Sequence, residues 1–459
     1  MTIRSLRLRL LRLSLPLIAL YLSRPAMTHA QNTPIYPGRK WAKIAPESVG
    51  FASAGLAAAH ARLAATPSTG LIAVVGGRAI FEYGDTDTVS YVASVRKSIL
   101  SMLYGIHVKR GEIDLDATLA SLGIDDRGGL TDAERQARVR DLLTARSGVF
   151  HPAANEGDDL SRAPARGSQR PGKYFLYNNW DFNALGTIFE QSTRRSIFDA
   201  FQRDIAAPIG LEEFRREDHR RGGDSTKSIH LAYHFRLSVR DMARIGYLML
   251  RNGRWGEQEI IPAQWVREST RAITAVTDMN PRERRNDPWG YGYLWWVWDG
   301  ANTPSAYRGA YMAGGAGGQY IAVLPALDLV VAHKTVAEDG VDVSVGRFLS
   351  ILDLIVAAKS GTAEHIEVRV GESVLREYVG NYELAPGAIM TITLENGQLF
   401  AQLTHQRRVP VFAESESSFF YRDANATISF TRNASGSVTG LLLKQSGGRV
   451  TPARMISPQ

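Results

Sequence analysis

Apolar residues recur along this chain at two spacings. At helical spacing they run through an alanine-rich segment over 45–64 and through Val95, Ile99, Met102, Leu103 and Ile106. The same spacing returns in Phe182, Leu185, Ile188 and Phe189 within 181–201, in Met242, Ile245, Leu248 and Met249, and over 345–357. Each series predicts a helix with a buried face. A shorter helix is expected around Val139 to Thr144, and Ser238-Val239-Arg240-Asp241 has the form of a capping box, which makes Ser238 structural. Short apolar runs bounded by turn residues predict strands: 70–75 and 79–83 flank Gly76-Gly77, and 320–324 and 329–332 flank Pro325 to Asp328. The aromatic run Trp289 to Trp298 suits a buried strand better than a carbohydrate platform, with one or two rings reaching a pocket. Strands at both ends with helices between them predict an α+β fold, an antiparallel sheet flanked by helices plus a helical region.

Past Lys359 the spacing changes to strict alternation. Residues 389–394, 399–404, 418–421, 427–431 and 438–443 alternate apolar and polar positions, with turns at Asn396-Gly397 and Asn433 to Gly436. This predicts a small all-β domain over 372–459, a barrel or a sandwich, joined by a linker at 361–371 to a larger domain at 31–360. Residues 1–30 stand apart. Arg4, Arg7, Arg9 and Arg12 precede an apolar run from Leu13 to Leu22, and Thr28-His29-Ala30 supplies small residues at the cleavage positions, the pattern of a secretory signal peptide. Cleavage near Ala30 would leave no integral membrane segment and a periplasmic or secreted protein; retention of the segment as an anchor is the other reading.

Charge and cysteine content narrow the partners. The formal net charge is +8, but five arginines in residues 1–30 carry five of those charges and leave +3. The remaining basic runs, Arg215 to Arg221 and Arg282 to Arg285, are broken by Glu217, Asp218 and Glu283 and read as solvated loops rather than a nucleic-acid surface. With no cysteine, the chain has no disulfide framework, thiolate metal site, cysteine nucleophile or lipidated cysteine. Neither a metal nor an organic cofactor is called for.

Three motifs carry candidate chemistry. In Ser94-Val95-Arg96-Lys97 a hydroxyl at a helix start stands one turn from an amine, which can activate it if the ammonium pKa is lowered. Alone, such a tetrapeptide also arises by chance with Ser94 as a cap. Tyr177-Asn178-Asn179 sits at a loop–helix boundary. A neighbouring ammonium would lower the Tyr177 phenol pKa and let it relay a proton, while Asn179 would orient Lys97 and a substrate carbonyl. Ala313-Gly314-Gly315-Ala316-Gly317-Gly318-Gln319 lies just ahead of a hairpin, where main-chain N–H groups could stabilise an oxyanion; no Lys-Ser/Thr ending suggests a phosphate loop.

In this order and spacing the motifs resemble the serine β-lactamase and penicillin-binding-protein superfamily, in the branch of class C β-lactamases, DD-peptidases and related esterases, over about residues 40–360. Leu142 to Val149, Tyr177 to Gly186 and Asp241 to Gly246 look most like serine hydrolases allied to 6-aminohexanoate-dimer hydrolase, and 372–459 looks similar to the β-barrel appendage of such hydrolases. The resemblance implies Ser94 as acylated nucleophile, Lys97 as its base, Tyr177 as general base and acid, and the N–H groups of Ser94 and Ala316 as oxyanion hole, with Gly315 beside them. The implied substrate is a small ester, amide or peptide. A binding or sensor protein on the same fold, or a peptidase or β-lactamase acting on cell-wall-like substrates, is the alternative. One departure bears on substrate: where β-lactam-hydrolysing relatives carry a lysine triplet, this chain has Ala313-Gly314-Gly315. Lys334-Thr335 does not replace it, being followed by Val336 and placed after the hairpin.

Overall fold

The computed structural model describes residues 34–155, 157, 159–301, 303–359, 368–421, 426–433, 435–445 and 449–458. The segment 1–30 expected to be a leader and most of the expected linker at 361–371 lie outside them. From Ile35 onward the chain forms one compact unit.

Its first part is built on an eight-stranded sheet. In chain order the strands are β1 (Ala42–Lys43), β2 (Gly70–Val75), β3 (Arg78–Gly84), β4 (Trp289–Tyr291), β5 (Trp296–Trp298), β6 (Tyr311–Gly315), β7 (Gln319–Leu324) and β8 (Leu329–Lys334). The spatial order is β1-β3-β2-β8-β7-β6-β5-β4, antiparallel except for β1 beside β3. The central β2–β8 pairing, Val74 opposite Val330, joins strands from the two ends of the segment, as the two predicted hairpins required. Alternate side chains divide between two cores. Ile72, Val74, Val330, Ala332, Ile321 and Val323 face one; Leu71, Ala73, Val75, Leu329, Val331 and Ala322 face the other.

Helices α1 (Ser53–Ala64) and α5 (Val345–Ala357) cover the second face. Against the first lie α2 (Val95–Lys109), α3 (Asn179–Thr193) and α4 (Val239–Leu250). Gly246 allows α4 to lie directly on the sheet, since a Cβ there would sit 2.6 Å from Val330 and 2.7 Å from Ile321. Every residue of α2 from Val95 to His107 is buried, so the predicted stripe is part of a helix surrounded on all sides. Each of its apolar side chains contributes about 1.5–3 kcal/mol of burial. This fixes the N-terminus of α2, where Ser94 lies.

Three elements depart from the sequence reading. The alanine-rich helix begins at Ser53, behind a 3-10 turn at Pro46–Val49. The segment 181–201 is two helices, because Arg194 turns into the left-handed region (φ 53°) before a second helix at Ile197–Phe201. Trp289 to Trp298 is a hairpin rather than one strand, Trp289 pairing with Trp298 around Leu294 (φ 63°). The tail is a closed eight-stranded antiparallel barrel: β9 (Gly380–Ala385), β10 (Ala388–Glu395), β11 (Gln398–Leu403), β12 (Val409–Ala413), β13 (Ser418–Phe420), β14 (Ala426–Arg432), β15 (Val438–Gln445) and β16 (Val450–Pro458). Among the described residues no helix is long and apolar enough to cross a membrane.

Candidate active site

The chain enters α2 through a strained turn. A short strand, Ser90–Tyr91, pairs with Arg236–Leu237, and Val92 donates its N–H to Phe235 O at 3.1 Å. Ala93 then takes a left-handed conformation (φ 47°), unfavourable for a residue with a Cβ, and Ser94 follows, half-buried. Lys97, one turn on, is buried, 2 % exposed. Its Nζ donates to Ser94 Oγ at 2.9 Å and to Tyr177 Oη at 2.7 Å. Its Nζ also lies 4.5 Å from the centre of the Phe182 ring, a cation–π contact.

Tyr177 comes from the loop preceding α3, where Asn178 caps the helix by accepting the Trp180 N–H at 3.0 Å. Its ring stacks on Trp296 (centroids 5.3 Å apart, 26° between planes) and packs on Phe182. A neighbouring ammonium by itself would lower this phenol's pKa; the net direction is the opposite. Burial raises it, outweighing the downward effects of the Ser94 hydrogen bond and of Arg96 and Arg284. Tyr177 therefore holds its proton at neutral pH. Asn179 is buried at the first position of α3.

The glycine-rich motif does not lie ahead of a hairpin as expected: it is the end of β6 and the turn into β7. Gly315 is pressed against the nucleophile's backbone: a Cβ there would lie 2.6 Å from Val92 O and 3.0 Å from Ser94 N. Only glycine permits that approach. Neither the Ser94 nor the Ala316 N–H enters the backbone hydrogen bonds among the described residues, leaving both free for an oxygen.

Beside Gly315 and Ala316 opens a cleft of about 300 Å³, walled by Trp289, Trp296 and Met312 and carrying Arg284, Asp287 and Asp342. Within the exposed run Arg282 to Arg285, Arg284 alone is folded in against the site. Its guanidinium lies 5.4 Å from the Trp296 ring centre and 5.7 Å from that of Tyr177, and Nε donates to Asp159 at 2.6 Å. Burial raises the Asp287 carboxyl, opposed by Arg284 and by Arg449 between β15 and β16. Lys334 stays out of the cleft: buried as the last residue of β8, it donates to Ser90 O at 3.3 Å and to Leu237 O. His151 is also turned away, with its ring nitrogens against Pro152 O and Arg127 O. A larger cavity of about 640 Å³ between Pro37 to Lys40 and Ala207 to Glu213 holds none of the motif residues.

A sheet of this order, with a serine opening a central helix and its lysine and a tyrosine converging on it, has a counterpart among known families. The beta-lactamase family profile matches residues 56–341, and the chain belongs to that family. Residues 365–454 match a domain of unknown function, DUF3471. Similar solved structures include EstCE1, a hydrolase with promiscuous acyltransferase activity, at 18 % identity and TM-score 0.50 over 69 % of this chain and 99 % of that one. A Bacillus anthracis protein assigned by name to 6-aminohexanoate-dimer hydrolysis aligns at 18 % identity and TM-score 0.49 over 64 % and 79 %. The octameric penicillin-binding protein homologue from Pyrococcus abyssi aligns at 15 % and 0.46 over 88 % and 99 %. No curated protein matches the chain.

Proposed function

We propose that this protein is a serine hydrolase that cleaves a neutral ester or amide through an acyl-enzyme on Ser94, exported by residues 1–30 to a periplasmic or extracellular compartment. The observation that carries the reading is the approach of one nitrogen, Lys97 Nζ, to both Ser94 Oγ and Tyr177 Oη, at 2.9 and 2.7 Å. With Lys97 neutral, Ser94 Oγ attacks the substrate carbonyl and its proton passes to Nζ. The carbonyl oxygen gains the charge and is met by the Ser94 and Ala316 N–H groups. Collapse breaks the bond to the leaving group, which takes a proton from Tyr177, replenished from Lys97. Water then attacks the acyl carbon, gives up its proton along the same relay, and frees Ser94 with release of the acid.

Support for a neutral substrate is the absence of a lysine triplet on β6 and the commitment of Arg284 to Asp159. A fluorophosphonate probe tests the nucleophile. It should label wild type and leave Ser94→Ala unlabelled; labelling of both would remove Ser94 from the role. N-terminal sequencing of periplasmic material should begin near Gln31, and an intact Met1 would contradict export with cleavage.

A further inference from the structure

Between nucleophile and base, α2 buries a second cation. Arg96 is 1 % exposed, and its partners are an amide and phenols: Nη2 donates to Asn183 Oδ1 at 3.1 Å, and the guanidinium lies 4.5 Å from the Tyr233 ring centre. The Tyr91 and Tyr233 hydroxyls are its other polar neighbours. Nη1 is buried with no acceptor in hydrogen-bonding geometry. Arg244, equally buried, behaves as an interior arginine ordinarily does and pairs with a carboxylate, Glu212, at 2.9 Å. Holding a guanidinium inside without such a partner costs free energy that an apolar side chain of similar length would not. The packing therefore does not explain the charge.

Its location does. Arg96 precedes Lys97 on one helix turn, and its charge reaches the Tyr177 hydroxyl, which lies 2.7 Å from Lys97 Nζ. We infer that Arg96 is a positioning residue for the reaction, its fixed charge disfavouring a second cation at Lys97 and so keeping that amine free to accept the Ser94 proton near neutral pH. The inference rests on the acyl-enzyme reading above.

The other groups around the pair do not replace this effect. Lys97 meets Ser94 on its own helix, Tyr177 from the loop, and Phe182 from α3. Asp181, a buried carboxylate on α3, accepts a hydrogen bond from the Ser147 hydroxyl at 2.6 Å. Beyond Tyr177, Arg284 and Asp159 form a pair whose charges offset each other. His234, also near Arg96, is pushed down to about 4 by burial and by Arg96 itself, so it adds no charge near neutrality. Among the described residues, the partners that geometry gives Arg96 are an amide and phenols, none of them a carboxylate.

The test is the pH profile of kcat/KM for p-nitrophenyl butyrate in wild type, Arg96→Met and Arg96→Lys, from about pH 5 to about pH 9. Removing the charge should raise the pKa of the acid limb by about one unit or more, with about a tenfold loss below the limb and recovery on the alkaline side. Arg96→Lys keeps the charge and should keep the limb. A limb unmoved in R96M, or moved as far in R96K as in R96M, overturns the inference. If R96M does not fold by circular dichroism, Arg96→Gln, which retains a donor for Asn183, takes its place. If that variant fails too, R96K decides alone, a limb at the wild-type position supporting the inference and a displaced one overturning it. Lys97→Ala is measured alongside: full activity there would overturn the acyl-enzyme reading and this inference together, whereas a dead K97A with an unmoved R96M limb overturns only the role of Arg96.

Discussion

At the scale of single residues the account rests on a short triangle of Ser94, Lys97 and Tyr177. Lys97→Ala and Tyr177→Phe should each lower kcat by at least about a hundredfold, the usual cost of a lost proton-transfer group. Tyr177→Phe keeps the ring stacked on Trp296, so its thermal midpoint should hardly change. Near-normal turnover by either variant, measured with p-nitrophenyl butyrate, would remove that residue from the mechanism. Lys334 gives a different kind of test. Burial lowers its ammonium to about 7, so between pH 7 and the unfolded value the unfolded chain binds the extra proton. Stability should then rise with pH from about 7 to about 9, by at most about 1.4 kcal/mol per pH unit, and this slope should vanish in Lys334→Met. A wild-type stability that is flat over this window by urea titration contradicts the buried-amine description. Ser94 and Lys97 were legible because both lie within one helical turn, where spacing alone sets their approach. Arg284 and Trp296 were not: each reaches Tyr177 from more than a hundred residues away, and nothing local in Arg282 to Arg285 distinguishes a folded-in arginine from a solvated one. The buried state of Arg96 was hidden for the same reason.

At the scale of elements, what matters is how closely β6 can approach the start of α2. Gly315→Ala would place a Cβ against Val92 O and Ser94 N, so the strand must retreat from the nucleophile. The expected outcome is a loss of about tenfold or more in kcat with melting behaviour close to wild type, since a displacement of the oxyanion donors is felt in the transition state. Unchanged kcat would mean that the strand end does not set that geometry. Most elements could be read from periodicity, and the misses share a cause. Three barrel strands, Gly380–Ala385, Val409–Ala413 and Val450–Pro458, escaped because Gly380, Pro410 and Pro452 argue against strand locally, and only closure of the barrel pairs them. The Trp289 to Trp298 hairpin escaped because its turn carries Leu294, not the glycine or asparagine expected at a positive φ.

At the scale of the whole molecule, the sheet with its helices and the barrel each bury a core of their own. The core side chains of the first lie between Trp41 and Ala358, and those of the barrel between Leu375 and Ala453. The barrel still contributes a charge, Arg449, near the cleft residue Asp287. The charges around the cleft come from separate stretches of chain: Asp159, Arg284, Asp287 and Asp342. Arg284 is paired with Asp159 and Arg449 stands near Asp287, so among the described residues each cation at the cleft already has a carboxylate beside it that a β-lactam carboxylate would have to displace. Nitrocefin should therefore give a kcat/KM well below that of p-nitrophenyl butyrate, and an equal or higher value would show that Arg284 or Arg449 exchanges its carboxylate for the substrate. Beneath all of this stands the acyl-enzyme itself. Rapid quenching of a reaction with p-nitrophenyl butyrate, followed by peptide mass analysis, should find a butyryl group on the peptide containing Ser94, absent from Ser94→Ala. A butyryl group on another residue, or turnover in which Ser94→Ala keeps more than about a tenth of the wild-type rate, would contradict the account.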